Sequence, residues 1–207
     1  EMSSERLPDE AQSWVAQRLQ YTHGYGFTMS PVNEFTSEGR PEFFVKDLAP
    51  QGLIQVDQPE IYYGEKSDRY VIVNTNTEEF DYPTEQDVPV FTKYQGEGGI
   101  ELSSFIRKLA FAWRLSDFNL LISGEITPES RLMLFRQVQE RVRHIAPFLE
   151  MDPDPYLVAA DGKLWWIQDT YTTTARFPYS QPFAVSKQGS LGFNYIRNSA
   201  KVVVDAY

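Results

Sequence analysis

The chain has 207 residues, with 19 Lys plus Arg against 29 Asp plus Glu and a formal net charge of -10. Such a balance repels polyphosphates and anionic lipid unless basic residues cluster, so nucleic acid is not an expected partner. There is no cysteine, which excludes thiol chemistry, and a chain of this size can bury roughly 70% of its extended surface without disulfides or metal. Its apolar runs, such as 109–113 and 157–160, fall far below the roughly 18 residues of a spanning helix. The opening Glu1-Met2-Ser3-Ser4-Glu5-Arg6 is not a signal peptide.

In chain order, a first helix is predicted over 9–21, because Ala11, Trp14, Val15 and Leu19 recur at helical spacing. Gly24 and Gly26 end it. Residues 27–58 mix Pro, Gly and short apolar pieces around one strand at 42–46, which makes 22–58 a loop-rich lobe of a single domain covering 1–207. Short strands rich in Val, Ile, Tyr and Phe follow at 61–63, 70–75 and 88–94. Leu102, Phe105, Ile106, Leu109, Ala110 and Trp113 then share one helical face opposite Arg107, Lys108 and Arg114, a pattern that predicts a helix covering a sheet.

The clearest helix is predicted from Thr127 as N-cap and Pro128 at its first position to Pro147, with Leu132, Phe135, Val138, Val142 and Ile145 on one side. Asp161-Gly162 between 156–160 and 163–167 is the strongest hairpin signal, since both turn positions need positive φ. The last residues, 200–207, read as a β-branched strand with no partner in view, so the chain reads as a piece of a longer protein. Strands with helices segregated between them predict an α+β fold: a largely antiparallel sheet of short strands carrying about three amphipathic helices.

Candidate chemistry is sparse. The two histidines are too far apart for a recognisable zinc spacing, and no metal or cofactor is expected. His144, at the end of the clearest helix, suits that helix's negative end. His23 sits in Tyr21-Thr22-His23-Gly24-Tyr25-Gly26, where glycines permit unusual backbone next to a titratable ring; the alternative is a helix cap followed by a tight turn. The loop 94–100 has exposed amides before a helix, but Glu97 and Glu101 oppose an anion, and a plain turn is the better reading. Asp152-Pro153-Asp154-Pro155 lacks a third oxygen ligand for a hard cation and reads as a connection into a strand. The densest polar-aromatic cluster runs from Gln168 to Ser180. It yields a candidate surface of Asp169, Thr172, Arg176 and Tyr179, joined by His23 and Asn33, in which Arg176 would meet an anionic group. Strand alternation opposes grouping Asp169 with Thr172 unless a bulge re-aims the chain.

Tyr21-Thr22-His23-Gly24-Tyr25-Gly26 with Met29-Ser30-Pro31-Val32-Asn33-Glu34 resembles a signature of uncharacterised protein family 0182. Pro59-Glu60-Ile61-Tyr62-Tyr63-Gly64-Glu65, Glu79-Phe80-Asp81-Tyr82-Pro83, Ile145-Ala146-Pro147-Phe148-Leu149 and Asn194-Tyr195-Ile196-Arg197-Asn198-Ser199 are similar to it as well. The resemblance implies a large polytopic membrane protein whose transmembrane region is missing from this chain and would be its partner. It also implies a cell-membrane location with this domain on the extracytoplasmic side. The family carries no activity. Two functional expectations follow: a domain binding a ligand, envelope component or partner, or a hydrolase-type envelope enzyme with His23 as general base beside Glu34 or Glu65.

Overall fold

A computed structural model describes residues 13–46, 51–52, 54–84, 86, 88–181 and 192–207. A π-helical segment, Ala16–Gln20, buries Leu19; the part of the predicted first helix before residue 13 lies outside the described residues. Eight short strands follow: β1 (Gly24–Tyr25), β2 (Val45–Lys46), β3 (Gln51–Gly52), β4 (Glu60–Ile61), β5 (Val71–Val73), β6 (Glu79–Pro83), β7 (Pro89–Thr92) and β8 (Ile100–Glu101). Pairs β1–β4, β2–β3 and β6–β7 are antiparallel.

Helix α1 (Phe105–Leu115) starts where the Ser104 hydroxyl accepts the Arg107 amide and stops at Ser116 in the left-handed region. Helix α2 (Asn119–Ile122) packs beside it. Then come β9 (Arg131–Met133), α3 (Val138–Ile145), β10 (Glu150–Met151), β11 (Tyr156–Ala160), β12 (Lys163–Thr174) and β13 (Tyr195–Asp205). Strand β12 is the spine of the largest sheet, pairing with β10, β11 and β13, all antiparallel. The β11–β12 hairpin turns at Asp161 and Gly162, with φ of 53° and 73°, as its sequence predicts. The fold is α+β with antiparallel sheets.

Three expectations are corrected. Residues 127–147 are not one helix: 131–133 form β9, paired with both β5 and β8, and only 138–145 are α-helical. Leu132 and Met133 are adjacent and both wholly buried, because β9 carries a core on each of its faces; such a run mimics a helix in sequence. Thr127 and Ser130 close a tight turn, with the Thr127 amide donating to the Ser130 hydroxyl at 2.9 Å. Second, the α1 face predicted to cover a sheet points outward, leaving Ile106 77% and Trp113 86% exposed. Ala112, Phe111 and Leu115 hold the helix to the core instead. Third, the final strand has a partner: β13 pairs with β12, and the Ala206 amide donates to the Leu164 carbonyl.

The β5–β9 sheet separates two cores. Ile72 and Leu132 join Leu19, Leu102, Ala112, Leu120 and Ile126, while Val71, Val73 and Met133 join Tyr62, Tyr63 and Tyr94. A third core, of Ile61, Val138, Leu164, Trp166 and Ala206, lies under the hairpin.

Candidate functional site

The chain buries an unusual amount of charge between β1, β4 and β6. The Glu79 carboxylate is 1% exposed and accepts from the Thr22 hydroxyl, the Tyr62 hydroxyl at 2.9 Å, and the amides of Asn74 and Tyr94 at 3.3 and 3.1 Å. Because Thr22 spends its proton on Glu79, its oxygen can only accept from His23 Nδ1, 3.0 Å away. The other ring nitrogen, Nε2, faces Asp81 Oδ1 at 3.3 Å. Both nitrogens therefore have acceptors, which suits an imidazolium. Burial opposes that charge on His23, but the hydrogen bonds and charges of Asp81 and Glu79 outweigh it and raise the pKa above its usual value. Burial likewise works against the Glu79 charge, yet His23, 3.7 Å away, and the bond from Thr22 hold its pKa below the ordinary carboxylate range. Burial pushes Glu60, the third acid of this region, upward, with Asp81 and Glu79 adding to the rise. Arg136, also buried, braces the cluster by donating to the carbonyls of Tyr62, Arg69 and Thr22.

The His23 side chain is wholly enclosed, so no ring atom can take a proton from an external substrate. Its partners are Glu79 and Asp81, not Glu34 or Glu65: Glu34 lines a separate shallow cleft and Glu65 is exposed. The arrangement is a structural charge cluster. It fixes the Tyr94 backbone and the Tyr62 ring, and through them an adjoining cleft.

That cleft encloses ≈ 680 Å³ and is lined by Tyr63, Tyr94, Tyr207, Gln58, Arg141 and Lys163, with the loop 95–98 at one side. A volume of this order is typical of small-molecule sites. Tyr62 meets Tyr94 edge-on at 4.8 Å and Tyr207 at 5.2 Å, and Tyr207 stacks on Tyr94 at 5.0 Å. Burial pushes the Tyr94 hydroxyl up to about 12, so it stays a neutral hydrogen-bonding group. The Arg141 guanidinium lies 4.3 Å from the Tyr63 ring centroid. The glycine loop is tied down: Gly98 N donates to the Tyr94 hydroxyl and Gln95 N to the Tyr207 hydroxyl, both at 2.9 Å. Arg131 holds the Gly98 and Glu97 carbonyls at 2.7 and 2.6 Å. Gly96 is required, since a Cβ there would sit 2.3 Å from the Tyr94 hydroxyl. Arg141 and Lys163 are matched in the lining by Glu97 and Asp205, leaving it without net charge. Gln58 Oε1 is enclosed and has no partner among the described residues.

The residues singled out from the sequence are dispersed. His23 lies in the charge cluster. Asn33 is exposed and lines the shallow cleft with Glu34, Phe35 and Phe43. Asp169 pairs with Lys201 at 2.6 Å and borders a ≈ 300 Å³ groove that shares no residue with the Asn33 cleft. Thr172 donates to the Ser199 hydroxyl at 2.8 Å. A bulge does occur beside Thr170 and Tyr171, but the unmatched residue is Ser199 on β13. The alternation of β12 is therefore not reset, and Asp169 and Thr172 point to opposite faces. Arg176 is exposed, its backbone amide donating to the Thr174 hydroxyl; Asp169 is held by Lys201 instead. Tyr179 is exposed at φ 60° in a turn clipped by Asn194. Asp152 receives the Tyr171 hydroxyl at 2.9 Å and the Asp154 amide at 3.1 Å, a structural connection. His144 Nδ1 donates to the Glu140 carbonyl at 2.8 Å, and its ring packs on Phe135. The cleft tyrosines and Glu79 carry no local signal in the sequence, and only the glycines of the loop 94–100 mark the edge of the cleft.

Residues 1–207 match the model of an uncharacterised protein family, UPF0182. A UPF0182 protein of Pelotomaculum thermopropionicum is 53% identical over 209 residues, one of Methanospirillum hungatei 50% over 210, and one of Trichodesmium erythraeum 46% over 222. Each alignment covers 100% of this chain but only 22%, 23% and 24% of the respective relative. The chain thus spans less than a quarter of their length. No solved structure matches it. With its whole length matched by the family model and by relatives at about half identity, this chain belongs to the family UPF0182.

Proposed function

We propose that the chain is the ligand-binding region of a larger membrane protein, held on the extracytoplasmic side, and that its tyrosine cleft takes a neutral, polyhydroxylated envelope component such as a glycan segment. The observation that carries this reading is the cleft's composition. The half-buried Tyr207, with the edges of the buried Tyr63 and Tyr94, gives the cleft an aromatic wall, and the charges in the lining balance. Sugars present an apolar face and hydroxyl groups that suit such a wall. The remainder of the full-length protein is the domain's constant partner.

Titration of the chain with soluble envelope oligosaccharides, followed by tyrosine and amide NMR shifts, tests the cleft. Saturable shifts confined to its lining are expected, with Lys163→Ala weakening binding by roughly tenfold, the loss of about 1.4 kcal/mol of contact. Absence of binding, or shifts elsewhere, overturns the ligand reading. Sidedness is tested separately by labelling Glu38→Cys in the full-length protein with an impermeant thiol reagent on intact cells. Labelling only after lysis overturns the extracytoplasmic assignment.

A further inference from the structure

We propose that helix α1 lies on an anionic lipid surface, its apolar face at headgroup depth and Arg107 and Arg114 beside lipid phosphates. This rests on the outer face of α1 and involves none of the cleft residues.

Phe105, Leu109 and Trp113 are spaced four apart and so share one face, flanked by Ile106. They are 68%, 47%, 86% and 77% exposed, in that order. A helix that leaves its widest apolar stripe in water is expected to have something to cover it. Fraying is not the explanation. Ser104 caps the helix, Ala112 is buried in the core beneath it, and at its far end Asp117 accepts from Trp14 Nε1 at 2.8 Å, from the Tyr70 hydroxyl and from the Asn119 amide at 3.1 Å. The next turn continues the apolar exposure with Phe118 and Ile122.

Charge selects the occupant. The sequence of α1, FIRKLAFAWRL, carries three cations and no acid, within a chain whose net charge is -10. Lys108 turns back to the Ile126 carbonyl at 3.1 Å and Arg107 donates to the Glu101 carbonyl at 3.2 Å, but Arg107 and Arg114 are both exposed, beyond Ala110 on the polar side of the helix and not within the stripe. A second copy docking through this face would set these cations against their equals. An anionic bilayer meets both features together, since exposed Trp and Phe partition to the interface while flanking arginines gain from lipid charge. The clustering also supplies the exception that a strongly acidic chain needs before it can approach such a surface.

The test is flotation of the chain with vesicles of phosphatidylcholine alone and of phosphatidylcholine mixed with phosphatidylglycerol. Binding to the mixed vesicles only, weakened by salt and accompanied by a blue shift of tryptophan emission, is expected. Phe105→Ser with Ile106→Ser, which keeps Trp113 as the reporter, should lower partitioning at least roughly tenfold and abolish the shift. Arg107→Gln with Arg114→Gln should lower it roughly tenfold and remove most of the salt dependence. All four positions are exposed, so the thermal midpoint of each variant should match the parent. Failure to float with mixed vesicles overturns the proposal, as does binding that survives both double substitutions. A dimer that the serine pair dissolves, without vesicle binding, would overturn it in favour of a second copy.

Discussion

A carboxylate as enclosed as that of Glu79 stays ionised only while donors surround it, and here hydroxyls, amides and an imidazolium do so. Its lowered pKa means that the stability it contributes is present above its ordinary value of 4.5 and is lost as pH falls through the folded value. The raised pKa of His23 has the opposite sense: its contribution is complete below 6.5 and is lost as pH rises through the folded value. Stability should therefore peak between these limits and decline on both sides. Urea unfolding across a pH series checks this, and His23→Gln should flatten the alkaline decline and also weaken the acid one, since it removes the charge that lowers Glu79. If the alkaline decline persists in that variant, His23 is not its cause. The sequence flagged His23 through its neighbouring glycines but gave no route to Glu79. Thr22 and Glu79 are 57 positions apart, and no local period links a turn to the first residue of a distant strand.

At the scale of elements, local chemistry was readable wherever it is self-contained. Asp161 and Gly162 specify their hairpin because only such residues tolerate the required φ. Gly162 has a second duty, since a Cβ there would lie 2.4 Å from Asp57 Oδ2 while its carbonyl receives the amides of Asp57 and Gln58. Gly162→Ala should cost about 1–3 kcal/mol in thermal or urea unfolding, through backbone strain and that contact. Adding Asp57→Ala should return only the steric part; full recovery would show that φ is not strained. Periodicity was less informative where an element has two cores or none. Strand β9 looked helical because both its faces are apolar, and α1 showed an amphipathic pattern that does not state which side the protein covers. The candidate site was legible only in part: Tyr63, Tyr94 and Tyr207 come from three distant segments, and their convergence is set by tertiary packing.

For the molecule as a whole, the three cores are not independent. The β5–β9 sheet is shared by the first two, and Val204 packs against both the second and the third. The described residues should therefore unfold in one cooperative transition, with tyrosine and tryptophan signals changing together in denaturant. Two separated transitions would mean that the helical core around Leu120 and the hairpin core around Leu164 stand alone. Strand β13 adds a mechanical property. A pull along it loads every pair with β12, from Trp165↔Asp205 to Thr174↔Tyr195, in shear, whereas a pull across it would peel them one by one. The Ala206 carbonyl, just beyond the strand, receives the amides of Tyr62 and Tyr63. Tension on β13 is thus delivered directly to the tyrosines that form and support the cleft, so whatever strains this strand also changes the shape of the cavity.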